Sequence, residues 1–302
     1  MNRIKAWFVS LSGTAATGLA VHAGIELATG GQAPLAWVGA LLGNATYALW
    51  FGYLFLQRAP RTNPSLPVVL VGTGGGLALA VAGAVIDGAA PLAIGYAAGG
   101  LAFGLLYTFW YSRLGREESS LIAEGAQLPT LVFEDDAGKR VTTDELRRDG
   151  PLLLMFYRGN WCPLCNAQIR ELAARYRELE ERGVTVAFVS PQSHENTRSI
   201  AARFDVPARF LVDVDLHVAK QLGIDHQGGL PAGMDVLGYE QDTVYPTVVI
   251  ADAEGRILFN DQTDNYRIRP EPDTFLAILD GRDPRREEGV GDPCQEPGLS
   301  SP

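Results

Sequence analysis

The chain has 302 residues, a net charge of −10 and a hydrophobic fraction of 47%, which together exclude a disordered chain, a coiled coil and a collagen-like repeat. Residues 1–116 carry six basic and two acidic side chains, a net charge of +4, so residues 117–302 carry −14. Phosphates would repel such an acidic region, so no nucleic-acid partner is expected. The split predicts an apolar membrane region, residues 1–116, followed by a charged soluble region.

Four apolar runs predict an all-α bundle of four transmembrane helices, at about residues 6–28, 33–56, 66–86 and 90–112. Each run has about 20 residues or more, which is the length needed to cross the hydrocarbon core. The basic residues of this region all fall before the first run, between the second and third, or after the fourth: Arg3, Lys5, Arg58, Arg61, Arg113 and Arg116.

This distribution of basic residues predicts a multi-pass protein of the cytoplasmic (inner) membrane. Loops rich in Lys and Arg stay in the cytoplasm. Both termini and the soluble region are therefore expected there, with membrane lipid around the helices. In an alternative reading, the first run is a cleaved signal peptide. Three spans then remain, and the soluble region lies on the same side.

Two features inside the apolar runs are candidates for function. His22 and Glu26 are four residues apart, so they share one face of the first helix, and an ionisable pair within a membrane is a candidate functional site. Their place near the end of the run favours an interfacial role over a proton, metal or quinone role. Glycine-rich segments at 72–76 and 95–100 favour close helix contact over a conduit.

Alternating strands and helices after a short linker, residues 117–124, predict an α/β domain over residues 125–280 with a mixed sheet flanked by helices. The run at 151–157 is apolar without a break, which is typical of a strand buried on both faces. An amphipathic helix is predicted from Pro163 to about residue 182. Residues 281–302 are rich in Pro, Gly and charge, and we expect them to be disordered.

Cys162-Pro163-Leu164-Cys165 lies where the apolar strand gives way to this helix. A helix N-terminus lowers a thiol pKa, so Cys162 is predicted to be the nucleophile, and Cys165, one turn later, can close a redox-active disulfide. Zinc would need two more ligands at metal spacing. We therefore expect no metal and no organic cofactor, with a zinc site and an inert pair as the alternatives. Cys294 is an idle thiol or a second resolving group.

Residues 156–165 resemble the active-site segment of the thioredoxin superfamily, and in particular of its peroxiredoxin-like branch (alkyl hydroperoxide reductase/thiol-specific antioxidant). The resemblance extends over about residues 125–279, through Gln127-Leu128-Pro129, Val189-Ser190-Pro191-Gln192 and Tyr245-Pro246-Thr247. It implies a thioredoxin-like fold in which Pro246 is cis and, beside Tyr245, positions substrate near the cysteines. Trp161 resembles the residue that shapes a peptide-binding surface in thioredoxins, or it serves packing.

Three positions depart from that branch. Gly159 and Met155 stand where the branch has Thr and Pro, and Tyr245-Pro246 replaces an Arg. Arg158 is the nearby residue that could supply positive charge to Cys162. Without those hydrogen-bond donors, fast peroxide reduction is not expected. His194, His217 and His226 are expected at the surface.

The leading hypothesis is therefore a membrane-anchored thiol-disulfide oxidoreductase in thiol redox or antioxidant chemistry. Its expected partners are an oxidised protein or a peroxide, and a thiol reductant such as thioredoxin. One alternative is a true peroxidase for hydrogen peroxide or lipid hydroperoxides. Another is a membrane sensor or quinone binder that carries a redox-switch domain.

Overall fold

The computed structural model describes residues 2–57 and 59–287. Its N-terminal region consists of long helices: α1 (Asn2–Ala28), α2 (Pro34–Gln57), α3 (Pro67–Ile86) and α4 (Pro91–Leu105), which continues as a π-helical turn, Leu106–Tyr111. In this part of the chain, three helices (α1, α3 and α4 with its extension) are long and apolar enough to cross a membrane, by length and composition. A membrane role for α2, and with it the count of four spans, stays a prediction.

Glycines bring the backbones of α2 and α3 into contact. A Cβ atom added at Gly76 would lie 2.6 Å from the backbone nitrogen of Gly43, and one added at Gly39 would lie 2.4 Å from the carbonyl oxygen of Gly76. No larger residue fits these positions without moving the helices apart. The close helix contact predicted from the segment at 72–76 is therefore confirmed.

The second region is a seven-stranded mixed sheet with helices on both faces, as the α/β prediction requires. The strands are β1 (Val132–Asp135), β2 (Arg140–Thr142), β3 (Leu152–Phe156), β4 (Thr185–Ser190), β5 (Arg209–Val212), β8 (Thr247–Ala251) and β9 (Ile257–Asp261), while β6 (Asp225–His226) and β7 (Thr243–Val244) form a separate pair. The helices are α5 (Thr143–Leu146), α6 (Pro163–Ala174), α7 (Tyr176–Glu180), α8 (His194–Ala201), α9 (His217–Leu222), α10 (Pro272–Leu279) and α11 (Pro284–Glu287).

The order of strands in the sheet is β2-β1-β5-β4-β3-β8-β9, with β3, β4 and β5 parallel and the other pairs antiparallel. Every residue of β3 is buried. Successive side chains of a strand point to opposite faces, and Leu153 and Met155 enter one core cluster while Leu152, Leu154 and Phe156 enter the other. The predicted strand buried on both faces is thus confirmed, and its end leads to Cys162.

Three segments differ from the sequence expectation. The helix predicted to reach residue 182 breaks at Arg175, which separates α6 from α7. The expected linker packs against the sheet, because Ile122 is fully buried and its carbonyl accepts a bond of 2.9 Å from the Asn260 side chain. The segment expected to be disordered from Gly281 contains α11, while residues 288–302, including Cys294, lie outside the described residues.

The two regions are joined through a buried arginine. Arg267 is fully buried and donates from Nε to Ser112 Oγ (2.7 Å) and from its terminal nitrogens to Thr62 Oγ1 (2.8 Å) and the carbonyls of Asn63 and Pro64 (both 2.9 Å). These partners belong to the α2–α3 loop and to the end of the helical region. Tertiary contacts therefore seat the α/β domain on one end of the helices.

Candidate active site

The cysteines lie at the start of α6, immediately after the central strand β3. Cys162 occupies the N-cap position, its N–H donates to the carbonyl of Gly159 (3.1 Å), and Pro163 takes the first helical position, where a missing N–H costs nothing. Both thiols are free and reduced. Their exposed fractions are 1% for Cys162 and 0% for Cys165. The predicted strand-to-helix junction is therefore present, but the sulfurs are enclosed.

The pKa values of the two thiols shift in opposite directions. The lowered pKa that the sequence analysis expected for Cys162 is found for Cys165 instead. Burial raises the pKa of Cys165, but the hydrogen bond from Cys162 and the positive charges of Arg269 and Arg158 outweigh it and lower that pKa to about 5. Donation of its own proton to Cys165, together with burial, raises the pKa of Cys162 well above its ordinary value. The reduced pair therefore loses one proton readily, and the negative charge that results is held between two sulfurs joined by a hydrogen bond.

Arg269 is a site residue that the sequence analysis missed. One terminal nitrogen lies 3.8 Å from Cys165 Sγ and the other donates to Gln168 Oε1 (3.1 Å), while Nε donates to the carbonyl of Tyr266 (2.8 Å). Its exposed fraction is 6%. No local pattern marks it, because it lies 104 residues from Cys165 in a loop between β9 and α10.

Arg158 and Trp161 stack beside the dithiol, as their sequence positions suggested. The Arg158 guanidinium lies 4.6 Å from the Trp161 ring centre and 5.8 Å from that of Tyr266. A Cβ atom at Gly159, whose φ is +141°, would lie 2.9 Å from Trp161 Nε1. This position therefore has no room for the Thr of the peroxiredoxin-like branch.

Gln192 holds the loop before Cys162 in place. Its Oε1 accepts from the backbone N–H of Asn160 (2.9 Å), and its Nε2 donates to Asn160 Oδ1 (3.0 Å) and to the Tyr157 hydroxyl (2.9 Å). Gln192 belongs to a segment that the family resemblance marked, but the resemblance gave it no role. A groove of about 1030 Å³ opens on this side, lined by Arg158, Trp161, Gln192 and Asn196.

Pro246 lies at the same end of the sheet as the cysteine loop, because Thr247 pairs with Phe156. The expectation of a cis bond at Pro246 is wrong, since the structure has no cis peptide in its described residues. The Pro246 carbonyl accepts a hydrogen bond from Arg116 (3.0 Å), whose guanidinium lies 5.1 Å from the centre of the Tyr245 ring. A substrate backbone would therefore have to compete with Arg116 for this carbonyl.

The surface prediction for His226 is also wrong. This ring is 6% exposed and stacks on Tyr245 with 4.4 Å between ring centres. Burial, with the positive charge of Arg158, lowers its pKa to about 3, so His226 is neutral at pH 7. Its neutrality follows from tertiary burial, which the sequence around it does not signal.

The helical region covers the dithiol. Leu114, just beyond the end of α4, belongs to the same buried cluster as Cys162 and Cys165, and Tyr111 packs against that cluster. The Tyr111 ring lies 5.8 Å from that of Tyr266, and the Tyr266 hydroxyl is 2.8 Å from that of Tyr107. The aromatic end of α4 thus forms part of the cover over the dithiol.

His22 and Glu26 are remote from this site. Their side chains are 3.8 Å apart, and His22 contacts the rings of Trp37 and Tyr96 at 5.8 and 5.6 Å. Lys5, at the other end of α1, donates to the carbonyl of Arg113 beside the dithiol cover. Seventeen residues separate Lys5 from His22, or about 26 Å along the helix. Among residues 2–57 and 59–287, no three His, Cys, Asp or Glu side chains are grouped to hold a metal.

A mixed sheet whose central strand leads into a C-x-x-C motif at a helix N-terminus defines a thioredoxin-like domain. Residues 125–259 match the AhpC/TSA family, which confirms the resemblance to the peroxiredoxin-like branch over that segment.

Curated relatives match part of this domain. The thiol-disulfide oxidoreductase ResA of Bacillus subtilis is 32% identical over 84 residues, which cover 28% of this chain and 45% of ResA. The chloroplastic peroxiredoxin Q of Sedum lineare is 25% identical over 112 residues, which cover 36% of this chain and 60% of that protein. The chain thus spans roughly half the length of these two relatives. One of these relatives is named as a thiol-disulfide oxidoreductase and the other as a peroxiredoxin, which are the two activities considered from the sequence.

A solved structure, that of peroxidoxin BcpB from Mycobacterium tuberculosis, aligns with 55% of this chain and 98% of its own, at 21% identity and a TM-score of 0.45.

Proposed function

We propose that the protein is a membrane-anchored thiol-disulfide oxidoreductase of the peroxiredoxin-like type, with Cys162 as the nucleophile and Cys165 as the resolving cysteine. The observation that carries the proposal is the buried dithiol at the start of α6, with Arg269 3.8 Å from Cys165 Sγ and no carboxylate bonded to that arginine in the described residues. Positive charge without a carboxylate partner stabilises a thiolate, which is the reactive form.

The proposed reaction moves two electrons from the dithiol to a substrate disulfide. The Cys165 thiolate accepts the Cys162 proton, and the Cys162 thiolate attacks one substrate sulfur, so that the other leaves as a thiolate. That leaving thiolate accepts the proton now on Cys165. The Cys165 thiolate then attacks Cys162 Sγ, which forms the Cys162–Cys165 disulfide and releases the second substrate thiolate. A thiol reductant such as thioredoxin returns the two electrons.

Four neighbours are proposed to position the substrate. Trp161 and Arg158 line the groove, while Pro246 and Tyr245 lie at the end of the sheet that carries the cysteine loop. A groove of this size accepts an extended peptide, but the sulfurs are enclosed behind it. We therefore propose that a movement of Trp161 admits the substrate disulfide.

The membrane placement rests on the three apolar helices and on where the domain sits. Arg61 forms a bidentate pair with Glu171 of α6 (3.0 and 2.5 Å), and Arg116 bonds to Pro246. These basic residues lie at the end of the helices that meets the redox domain. This distribution of basic residues supports the proposal that the domain, with both termini, lies on the cytoplasmic side of the inner membrane.

A peroxidase for hydrogen peroxide or lipid hydroperoxides is the second candidate. The observation in its favour is the positive charge of Arg158 and Arg269 beside the dithiol, since such charge stabilises the oxygen that leaves a peroxide. Gly159 opposes it, because the hydroxyl of the usual Thr is absent and cannot be accommodated.

The test uses the full chain, reduced, in lipid nanodiscs. It is mixed with a model protein disulfide, hydrogen peroxide or a lipid hydroperoxide, and the loss of this chain's own free thiols is timed by alkylation and gel shift, because exchange with a disulfide leaves the total number of thiols unchanged. We expect rapid loss with the protein disulfide, abolished by Cys162→Ser, and a trapped mixed disulfide with Cys165→Ser. Cys294→Ser is the control and should react at the parent rate. Rapid loss with peroxide alone would support the second candidate instead, and no reaction with any oxidant would refute both.

A further inference from the structure

The loop between β6 and β7, residues 227–242, reaches from the redox domain onto α1. At its base, Asn2 Nδ2 donates to the carbonyl of Gln227 (2.8 Å). Farther along, the N–H of Ala232 donates to the carbonyl of Ala6 (3.0 Å), and Ser10 Oγ donates to the carbonyl of Ala232 (2.8 Å). The loop therefore follows α1 for about two helical turns, away from the sheet.

These contacts fix the depth of the loop along α1. Ser10 lies seven residues beyond the exposed cation Arg3, or about 10 Å along the helix axis. Beyond Lys5, the next charged residue of α1 is Glu26. A segment bonded to Ser10 thus lies beside the apolar part of the helix, at a depth to which interfacial elements bury their apolar faces, about 5–10 Å.

The tip of the loop, a few residues after Ala232, presents exposed apolar side chains. Its short 3₁₀ turn, Asp235–Leu237, leaves Val236 82% exposed and Leu237 65% exposed. On α1, Trp7 and Leu11 directly follow the loop-bonded residues and are 60% and 59% exposed. The loop tip and α1, to which the loop is bonded at Ala232, thus both expose apolar side chains, and one of these is a Trp, the residue enriched at the headgroup level.

We propose that the loop tip, residues 231–238, is a membrane-contact element that seats Val236 and Leu237 in the boundary between headgroups and acyl chains. The proposal rests on the proposed membrane placement of α1. Lipid is the partner, because the part of α1 to which the loop is bonded faces lipid in that placement. Asp235 lies within the tip, and Glu240 and Asp242 follow it, so zwitterionic headgroups suit it better than anionic ones.

This contact has a consequence for the dithiol. The carbonyl of Gly229 accepts a hydrogen bond from Arg158, and Tyr239 and Gln241 line the groove beside Trp161. One loop thus touches lipid at its tip and the active-site groove at its base. Lipid contact would hold the groove wall at the membrane surface.

The experiment places nitroxide labels on the full chain in phosphatidylcholine nanodiscs, with Cys162, Cys165 and Cys294 changed to Ser. Val236→Cys and Leu237→Cys test the tip. Leu11→Cys is the reference on α1, and Val214→Cys, at a site 41% exposed in the redox domain, is the matched aqueous control. Collision rates are measured with oxygen, which concentrates in lipid, and with a water-soluble nickel complex. We expect the oxygen-to-nickel ratio at both tip positions to exceed that at position 214 several-fold and to approach that at position 11.

The outcomes distinguish failure of the loop proposal from failure of the membrane placement of α1. If position 11 reports lipid while positions 236 and 237 match position 214, the loop proposal is overturned and the membrane placement of α1 stands. If position 11 also matches position 214, the membrane placement fails and the loop proposal fails with it.

Discussion

The helical region and the α/β region satisfy their buried polar side chains differently. In the helices, Thr73 Oγ1 donates one turn back to the carbonyl of Val69 (2.7 Å), and Asn44 Nδ2 donates one turn back to that of Ala40 and across to that of Tyr96 in α4 (both 2.9 Å), so uncharged groups bond within or between helices. In the α/β region, the buried side chains of Arg158, Arg267 and Arg269 bond to residues far away in sequence.

The difference concerns the location of buried positive charge. All three arginines lie between the dithiol and the helical region, and within residues 2–57 and 59–287 none of them forms an ion pair with a carboxylate. A buried cation without a partner is costly. The thiolate of the dithiol is therefore a counter-charge at this junction, and the chemistry of one region depends on its contact with the other.

The largest expected effect comes from breaking the junction. Arg267→Ala removes four hydrogen bonds and leaves two carbonyls buried, which should lower the free energy of unfolding by about 3 kcal/mol or more, since bonds to charged groups contribute about 1.5–3 kcal/mol each. Thermal unfolding in nanodiscs and the rate of dithiol alkylation by iodoacetamide are the measurements. Arg282→Ala, at an exposed site, is the control. An unchanged alkylation rate would show that the helices do not cover the dithiol.

The next largest effect is expected from a substitution within the α/β region. Gly159→Ala forces a Cβ atom to 2.9 Å from Trp161 Nε1, which should displace that ring, cost about 1–3 kcal/mol and slow disulfide exchange. Gly183→Ala is the matched control, because Gly183 also has positive φ (+68°) but open space around it. Equal losses for both variants in chemical denaturation would mean that backbone strain, not the contact with Trp161, decides the effect.

A smaller effect sharpens the electrostatic part of the comparison. Arg269→Gln should raise the pKa of Cys165 by about 1–3 units, since it removes an adjacent positive charge. The midpoint potential at pH 7 should fall by about 30–60 mV, because each pKa unit below the assay pH corresponds to about 30 mV for two electrons. Thiolate absorbance and equilibration with glutathione measure the two shifts. In Arg269→Lys, both the pKa of Cys165 and the midpoint potential should lie between those of the parent and of Arg269→Gln. Arg282→Gln should change neither quantity.

The shared proton also predicts how the potential depends on pH. Below pH 5 or so the reduced dithiol holds two protons, and above it one, since the pKa of Cys165 is about 5 and that of Cys162 is raised. The potential should therefore fall by about 59 mV per pH unit below this point and by about 30 mV above it. A single slope from pH 4 to pH 8 would contradict the charge distribution.

The smallest expected effect is at the far end of the helices. The sites of His22→Gln and Glu26→Gln lie about 26 and about 32 Å along α1 from Lys5, which contacts the dithiol cover. They should leave the redox state of the dithiol under oxidant unchanged in a gel-shift assay. A change would favour the membrane sensor, in which the helical region acts through the dithiol.

Much of the fold could be predicted because its signals are local. The unbroken apolar run predicted β3, and the periodic pattern after Pro163 predicted α6. No feature of the sequence predicted the helix break at Arg175. The cysteine pair, Trp161 and Arg158 stand together because they are neighbours in the chain. Arg269, Gln192 and His226 could not be assigned roles, because the sequence does not state which distant segments meet at the cysteines.

The sequence by itself determined the two regions, the α/β class and the position of the cysteines at a strand-to-helix junction, since composition, periodicity and a four-residue motif act over short stretches. Only the tertiary structure decided how readily the dithiol loses its first proton, how far it is enclosed and what covers it. Those properties depend on burial and on charges brought in from 104 residues away in the case of Arg269, and the strength of such interactions is set by distance in space rather than in sequence.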